Sequence, residues 1–547
     1  LFAGTFLDLF GLSMIIPLIN AVADYDKINN LMINYNILDP LSNFNQNQLI
    51  ILLLAIFLVI NVLKGLVFIY LNWKTNEFSK DLNINISSKL INYYSSINYE
   101  EMIAKSSGTL IRNITEEVMG VSNAISNFLS LVVEIFVVVF IFIFILFVEP
   151  NGLLIISFFL LLGLYLFKKI MSKRLILWGN NRQKLFLKKI SIINELFHSY
   201  PELKLLKKIN YFGKLYINFN KEFFNNLIKF NIVQIIPRFL IESLAVLGMM
   251  FALIYLIIIE NNQTQIIYSL AILGASALRL LPTISRIVNY YNSFKFSAAS
   301  INLVKSEIQG QTYFEKKDIK RLNSLKFINK ISLNNISYTY PNKEIKILNN
   351  INLEIKKNEV IGIKGLTGSG KSTLLKIILG LLKPQEGNLM IDQVDIHKSN
   401  FLDFWYEKVA YVPQNIYLIN ESIKKNILLG IEESDEIEAN YNESVNISLC
   451  SEFIEKMKDN DQTIVGENGL KLSGGQKQRL GIARALYQKK EVLILDEATN
   501  SLDEFTEKKI LEKILNLPNK PTIIFVSHKS ANFKICDKII NISDLTR

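Results

Sequence analysis

The sequence predicts an all-α membrane domain of six spans followed by a cytosolic α/β domain built around a phosphate-binding loop. Three observations carry this. Half of the 547 residues are apolar and only 20% are charged, with a mean hydropathy of +0.26, which fits neither an ordinary soluble enzyme nor a disordered chain. The long apolar runs all fall within about the first 300 residues. Beyond them, short apolar stretches alternate with helical ones, and a glycine-rich loop closes the third such stretch, the pattern of an α/β fold. With 24 Gly, 11 Pro and 2 Cys the chain is neither collagenous nor a disulfide scaffold, and Cys450 and Cys536 are expected as reduced thiols facing a cytosol. A net charge of +11 on a soluble protein would suggest nucleic acid. Here the basic residues follow the loops of a membrane protein, and no nucleic-acid partner is expected.

Residues 1–23, 49–73, 118–148, 153–170, 232–259 and 266 to about 291 form the apolar runs. At 1.5 Å per residue each spans, or nearly spans, roughly 30 Å of hydrocarbon as a helix. The first run contains Asp8, begins without Met and lacks a basic flank. It is expected to be part of a span whose beginning lies upstream rather than a signal peptide.

Lys and Arg set the orientation. The segment between spans two and three holds Lys74, Lys80, Lys89, Lys105 and Arg112, and the one between spans four and five holds fourteen basic residues from Lys168 to Lys229. The other connections offer only Lys27, so the basic segments and both chain ends are expected inside. The basic segments are patterned as helical extensions of the spans, each pair bridged by a crosswise helix, near 99–107 and 206–214. The outer connections 149–152 and 260–265 are expected as tight turns. In 24–48, Ile28, Leu31, Met32, Tyr35 and Leu38 recur at helical spacing, suggesting a short helix lying on the outer membrane face.

The membrane domain is therefore expected over 1–300, a charged linker over 301–325 and a soluble domain over 326–547. Within the last, 331–340 and 351–355 read as strands of an antiparallel sheet. The buried strand 360–364 ends on Gly365-Leu366-Thr367-Gly368-Ser369-Gly370-Lys371-Ser372-Thr373, with a helix after it. Glycines let the backbone curl so that successive N–H groups face phosphate oxygens. The helix N-terminus adds partial positive charge, Lys371 reaches the terminal phosphates, and Ser372 offers a hydroxyl to Mg²⁺.

A second buried strand, Val492-Leu493-Ile494-Leu495, ends in Asp496-Glu497. An acidic residue there can hold Mg²⁺, and Glu497 is placed to polarise an attacking water. Leu472-Ser473-Gly474-Gly475-Gln476 opens a helix running to about Gln488, and a serine with two glycines at a helix start makes a second anion site.

With these residues in place the chain resembles an ATP-binding cassette (ABC) exporter half-transporter. Gly365 to Thr373 is similar to its Walker A loop, Asp496-Glu497 to the end of Walker B, and Leu472 to Gln476 to the family signature. Tyr411-Val412-Pro413-Gln414 resembles the Q-loop, His528 the switch histidine, Ser501-Leu502-Asp503 the D-loop, and Tyr340 the aromatic that stacks on adenine. Thr463-Ile464-Val465-Gly466-Glu467-Asn468-Gly469 resembles the segment preceding the signature in exporters, whereas Asn500 departs from the small residue usual before the D-loop serine. The resemblance implies an ATP hydrolase coupled to transport. ATP would be bound by Tyr340, Gly365, Gly368, Ser369, Gly370, Lys371, Ser372 and Thr373 and by Ser473, Gly474, Gly475 and Gln476. Mg²⁺ would be held by Ser372, Gln414 and Asp496, and Glu497, His528 and Gln414 would be catalytic. One cassette per chain implies a homodimer.

The membrane half further resembles bacterial flippases of lipid-linked oligosaccharides. It shares Asp8 in the first span, Ile-Pro-Leu-Ile at 16–19, Pro-Arg in the fifth span, and Arg-Leu-x-Pro with a second Arg in the sixth. The implied location is the bacterial cytoplasmic membrane, with membrane lipids and a polyprenyl-pyrophosphate-linked glycan as partners. A lipid or drug exporter would share every cassette residue, a peptide or bacteriocin exporter would often add an N-terminal protease, and a non-transport ATP-binding regulator would show degenerate catalytic residues. Lys64 and Arg279 lie roughly 21–22 Å below the outer ends of their spans, with Arg286 seven residues further on the same face as Arg279. Cations at such depth are costly on lipid-facing surface, so the three are expected to receive the pyrophosphate. Ion pairing with Glu134 or Glu242, and of Arg238 with Glu242, is the competing expectation.

Overall fold

The computed structural model describes residues 45–148, 150–259, 263–311, 327–341, 345–366, 368–397, 401–431, 435–527 and 529–542, with five isolated positions before them. It divides into two compact units, one of Leu1–Ile97 with Met102–Glu315 and one of Asn98–Glu101 with Lys316–Arg547.

The first unit is helical: α1 (Gln46–Ser96), α2 (Tyr99–Ala104, whose first three residues fall in the second unit), α3 (Ser107–Arg112), α4 (Val118–Val148), α5 (Pro150–His198), α6 (Tyr200–Leu205), α7 (Ile209–Ile259), α8 (Gln263–Phe296) and α9 (Ala298–Gln311). Among the described residues four helices are long and apolar enough to cross a membrane, Gln46–Ser96, Ser107–Phe147, Pro150–His198 and Ile209–Ile258. The expected sixth run lies in α8, the expected first run is described only at residues 13, 14, 17, 18 and 21, and residues 24–44 of the expected outer segment lie outside the described residues. At 51, 49 and 51 residues, α1, α5 and α7 are about 75 Å long. Each apolar run therefore continues without a break into its basic segment.

Close packing of these helices relies on small residues: a Cβ on Gly163 of α5 would lie 2.2 Å from Leu244 Cδ1 of α7. Val137, Ile141, Leu160, Ile241 and Leu273 belong to their shared core. Below it a polar knot joins four helices. Glu117, 1% exposed, accepts from Gln183 Nε2 at 2.7 Å and pairs with Arg182 and Arg112. Arg182 also reaches Ser300 Oγ of α9 at 2.7 Å. The π-turn Asn113–Glu117 points both Asn113 and Glu117 into this knot.

The first crosswise helix, α2, falls inside the expected 99–107. The second, α6, occupies Tyr200–Leu205 rather than 206–214. Pro201 starts it at the first turn, and Lys207 at φ 56 turns the chain before α7 begins. The segment expected as linker is helical through Gln311 in α9.

The second unit contains an antiparallel sheet of β1 (Lys330–Tyr338), β2 (Leu348–Lys356), β4 (Glu386–Ile391) and β5 (Val394–Asp395), ordered β2-β1-β4-β5. A parallel sheet has the order β6-β7-β8-β3-β9, from β3 (Val360–Lys364), β6 (Val409–Val412), β7 (Val492–Asp496), β8 (Thr522–Val526) and β9 (Lys538–Asn541). The helices are α10 (Lys371–Ile378), α11 (Phe401–Lys408), α12 (Ile423–Leu428), α13 (Asp435–Ile447), α14 (Ser451–Ile454), α15 (Gly474–Tyr487) and α16 (Glu504–Leu515). Strand alternation divides the core. Ile494 and Ile524 face one cluster, which joins both sheets through α10. Leu493, Leu495, Ile523 and Phe525 face the other, under α15 and α16.

Asn98–Glu101 belongs to this unit for visible reasons. Tyr99 packs on the core around Tyr338 and Leu374, Lys376 Nζ lies 5.5 Å from the Tyr99 ring centroid, and Tyr338 Oη donates to Glu100 Oε1 at 2.6 Å.

Candidate active site

The glycine loop connects β3 to α10 at the carboxyl edge of the parallel sheet. Gly368 and Gly370 adopt φ 83 and 94, a region that a side chain resists. A Cβ on Gly370 would also lie 2.9 Å from Leu348 Cδ2. Lys371 is buried, and its ammonium donates to the Gly365 and Leu366 carbonyls at 2.7 and 3.0 Å, which holds it across the mouth of the loop. Among the described residues Ser369 Oγ is buried with no hydrogen-bond partner, and a Cβ on Gly365 would sit 2.7 Å from it. The loop thus has the form of a phosphate cradle. Ser372 is exposed at its rim, and the buried Thr373 has its Oγ1 3.4 Å from Tyr340 Oη. Tyr340 follows β1 and stands edge-on to Tyr338 at 5.1 Å.

β7 delivers Asp496 to the same edge, one strand away from β3. Its carboxyl is 6% exposed and accepts from Tyr411 Oη at 3.2 Å. Burial pushes its pKa up, with neighbouring Glu497 adding to the rise, against the Tyr411 hydrogen bond and the ammonium groups of Lys376 and Lys371. Burial also raises the Tyr411 phenol, with the Asp496 charge reinforcing it. Glu497 leaves the strand at φ 50, its N–H donating to Val526 O at 3.1 Å. Its Oε2 accepts from Gln414 Nε2 at 2.7 Å and from Asn500 Nδ2 at 2.9 Å.

Ser473 caps α15 reciprocally with Gln476. Ser473 Oγ accepts from the Gln476 N–H at 3.3 Å, and Gln476 Oε1 from the Ser473 N–H at 2.9 Å. Ser473 and Gly474 are exposed. Gly474 and Gly475 let the helix start pass close to Ser501, whose carbonyl would be 3.1 Å from a Cβ on Gly475. Gln478 Oε1 accepts from the Ser501 N–H at 2.8 Å, and Asp503 then caps α16.

The fold therefore gathers Lys371, Asp496, Glu497 and Gln414 at one sheet edge and ties Ser473 to Gln476 to the turn at Ser501. His528 lies outside the described residues. Sequence reasoning gave no role to Tyr411 or treated Asn500 as a mere departure, yet each donates to one of the two carboxylates. A polar tip on the buried strand β6 was the available signal for Tyr411.

In the membrane unit, Arg286 is engaged: its Nε and Nη2 donate to the two Glu134 oxygens at 2.6 and 3.1 Å. This is the Glu134 ion pair of the competing expectation. Arg238 pairs with Glu242 at 2.9 Å. Lys64 and Arg279 are partly buried in α1 and α8.

Among the described residues no cluster of three His, Cys, Asp or Glu forms a resident metal centre. A Mg²⁺ arriving with a nucleotide needs fewer protein ligands, because phosphate oxygens complete its shell. A hydroxyl at the loop and a buried carboxylate at the strand end fit that chemistry.

Residues 348–500 match the family model described as ABC transporter. Over 98% of its length the chain superposes on 92% of a bacterial Atm1-family ABC exporter solved with ATP bound, with a TM-score of 0.80 at 19% identity. The chain thus carries an ABC transporter domain and has the fold of an ABC exporter, a helical membrane-type unit followed by an α/β cassette. It is 33% identical over 272 residues to an ABC transporter ATP-binding/permease protein of Haemophilus influenzae, covering 48% of each chain. It is 29% identical over 305 residues to the ATP-dependent lipid A-core flippase of Salmonella paratyphi A, covering 56% of this chain and 51% of that one. An export ATP-binding/permease protein of Rickettsia typhi is 37% identical over 211 residues, 38% of this chain and 36% of that one. The chain spans about half or less of the length of these relatives.

Proposed function

We propose that this chain is an ATP-driven exporter half-transporter of a bacterial cytoplasmic membrane, acting as a homodimer and flipping a polyprenyl-pyrophosphate-linked oligosaccharide. The observation that carries the ATPase reading is the Glu497 carboxylate, steered by two amide donors beside a buried aspartate. ATP would place its phosphates on the Gly365 to Thr373 backbone, with Lys371 turning from the loop carbonyls to the terminal phosphates and Tyr340 against the base. Mg²⁺, which neutralises developing phosphate charge, would be held by Ser372, Asp496 and Gln414. Glu497 would orient the attacking water, and His528 would face the γ-phosphate. Ser473 to Gln476, with Ser473 and Gly474 exposed, would complete the site of a second copy.

Lys64 and Arg279 support an anionic head group on the substrate, since a guanidinium fork matches phosphate oxygens. Arg286 would join by exchanging the Glu134 carboxylate for phosphate. The likeness to a lipid A-core flippase favours a second reading, a phosphorylated glycolipid without the polyprenyl carrier. Reconstitution into vesicles with labelled polyprenyl-pyrophosphate sugars and labelled lipid A-type glycolipids tests both, scored as ATP-dependent loss from one leaflet. ATP-independent scrambling, or no loss of either class, would overturn the proposal.

A further inference from the structure

At the amino edge of the parallel sheet, opposite the Lys371 loop, the second unit opens a cleft of about 590 Å³. Glu443 and Ile447 of α13 and Ala485 of α15 form one wall, and Glu491, Leu493 and the turn 517–521 before β8 form the other. Its floor is therefore the apolar underside of the core beneath α15, while four lysines, Lys357, Lys489, Lys490 and Lys520, stand around it.

Their charges do not balance. Glu491 is shared by Lys357 and by Lys408, each at 2.8 Å, and Glu443 is taken by Lys489 at 2.7 Å. Lys520 reaches Asp537 only at 3.8 Å. Among the described residues Lys490 forms no ion pair, its ammonium donating to Tyr406 O at 3.3 Å, and burial pulls its pKa down. A cleft of this size with an apolar floor and excess positive charge suits a ligand of the same mixed character. The position adds a consequence. Residues 488–491 alone join Tyr487, the end of α15, to Val492, the start of β7, and Lys489, Lys490 and Glu491 of that turn line the cleft. Ser473 lies at the other end of α15, and Asp496 lies roughly 13 Å along β7.

We propose that this cleft is a second ligand site, for a small amphipathic anion with a compact apolar body and one phosphate or carboxylate. The ligand would seat its charge between Lys490 and Lys520 and brace the α15 helix against the strand that carries Asp496 and Glu497. Parallel sheets ordinarily take ligands at their carboxyl edge, so this site is separate from the nucleotide loop. The bracing rests on the proposed ATPase; the binding does not.

The test uses the full chain in nanodiscs with ATPγS filling the nucleotide loop, and 1-naphthyl phosphate and 1-naphthoate as probes. Lysine acetylation, read by mass spectrometry, should fall saturably at Lys490 and Lys520 but not at Lys508, and the stronger probe identifies the head group. Lys490→Glu should weaken protection of Lys520 at least tenfold. Non-saturable protection, equal protection at Lys508, or unchanged affinity in Lys490→Glu overturns the site. A parallel assay with ATP should show slower turnover with the bound probe in the wild type and not in Lys490→Glu. Saturable binding with unaltered turnover overturns the bracing alone, whereas an inactive wild type that still binds the probe counts against the ATPase and not the cleft.

Discussion

Gln414 Nε2 donates to Glu497 Oε2 at 2.7 Å across 83 residues of sequence, and Asn500 Nδ2 donates to the same oxygen at 2.9 Å. Two amide donors thus fix the orientation of the Glu497 carboxylate beside the buried Asp496. Glu497→Gln keeps the shape but loses the acceptor charge, so ATP should bind while turnover falls about 10²–10⁴-fold. Lys371→Ala should instead weaken nucleotide binding itself. Phosphate release and equilibrium binding on both variants separate the two effects, and near-normal turnover in Glu497→Gln would place the base elsewhere.

Asp496 carries a pH prediction. Its folded pKa lies above the ordinary 3.8, chiefly through burial. The folded state therefore holds its proton to higher pH than the unfolded chain does. This group's contribution to stability falls as pH rises from about 3.8 through the folded value. Asp496→Asn should remove that loss, raising the unfolding temperature at pH 7 while abolishing Mg²⁺-dependent turnover. Tyr411→Phe removes a hydrogen bond that favours the charged form, so the acid limb of the pH–rate profile should move upward. An unmoved acid limb would separate Asp496 from that titration.

The exposed Ser473-Gly474 start of α15 and the Gly365 to Thr373 loop lead to a crosslinking prediction. If two copies sandwich nucleotide, Ser369→Cys and Gly474→Cys on different chains should crosslink when ATP is bound. Gel mobility and mass spectrometry of mixed, differently tagged chains check this. Crosslinks confined to single chains would remove the homodimer.

How much of this was readable beforehand depended on chain distance. The loop residues Gly365 to Thr373 are contiguous and owe their geometry to their own glycines, and β7 and β8 are short apolar runs with clear ends. Tyr411 and Asp496 stand 85 residues apart and Arg286 and Glu134 stand 152 apart. Such pairs come from the fold, and one chain's spacing does not encode them. The helix Tyr200–Leu205 begins ahead of the middle of the basic segment because Pro201 favours the first turn of a helix, a local signal that the spacing of basic residues does not carry.

Tyr338 Oη donating to Glu100 Oε1 at 2.6 Å and Tyr99 under Lys376 hold Asn98–Glu101 within the second unit. Lys376 is on α10, directly after the loop, so nucleotide bound at the loop is expected to be felt at Tyr99 and Glu100. Tyr99→Ala with Glu100→Ala should leave ATP turnover within a few-fold of normal while substrate-stimulated turnover and flipping are lost. Flipping still tied to ATP use in that variant would send the coupling elsewhere.

The last prediction separates substrate recognition from an intramembrane ion pair. Glu134 has a side chain 10% exposed and Arg286 one 39% exposed, so Arg286→Ala strands a buried carboxylate. Leaving a mostly buried carboxylate without its partner is destabilising, so a loss of flipping by that variant alone could be a loss of folding. Adding Glu134→Gln removes the stranded charge. If Arg286 only balances Glu134, the Arg286→Ala, Glu134→Gln pair should regain both thermal stability and flipping. If Arg286 receives phosphate, stability should return and flipping should not. Arg279→Ala is expected to abolish flipping of pyrophosphate-linked substrate while the cassette continues to hydrolyse ATP. Normal flipping by Arg279→Ala, together with full rescue of Arg286→Ala by Glu134→Gln, would remove these arginines from the substrate path. It would point instead to a substrate recognised through its lipid.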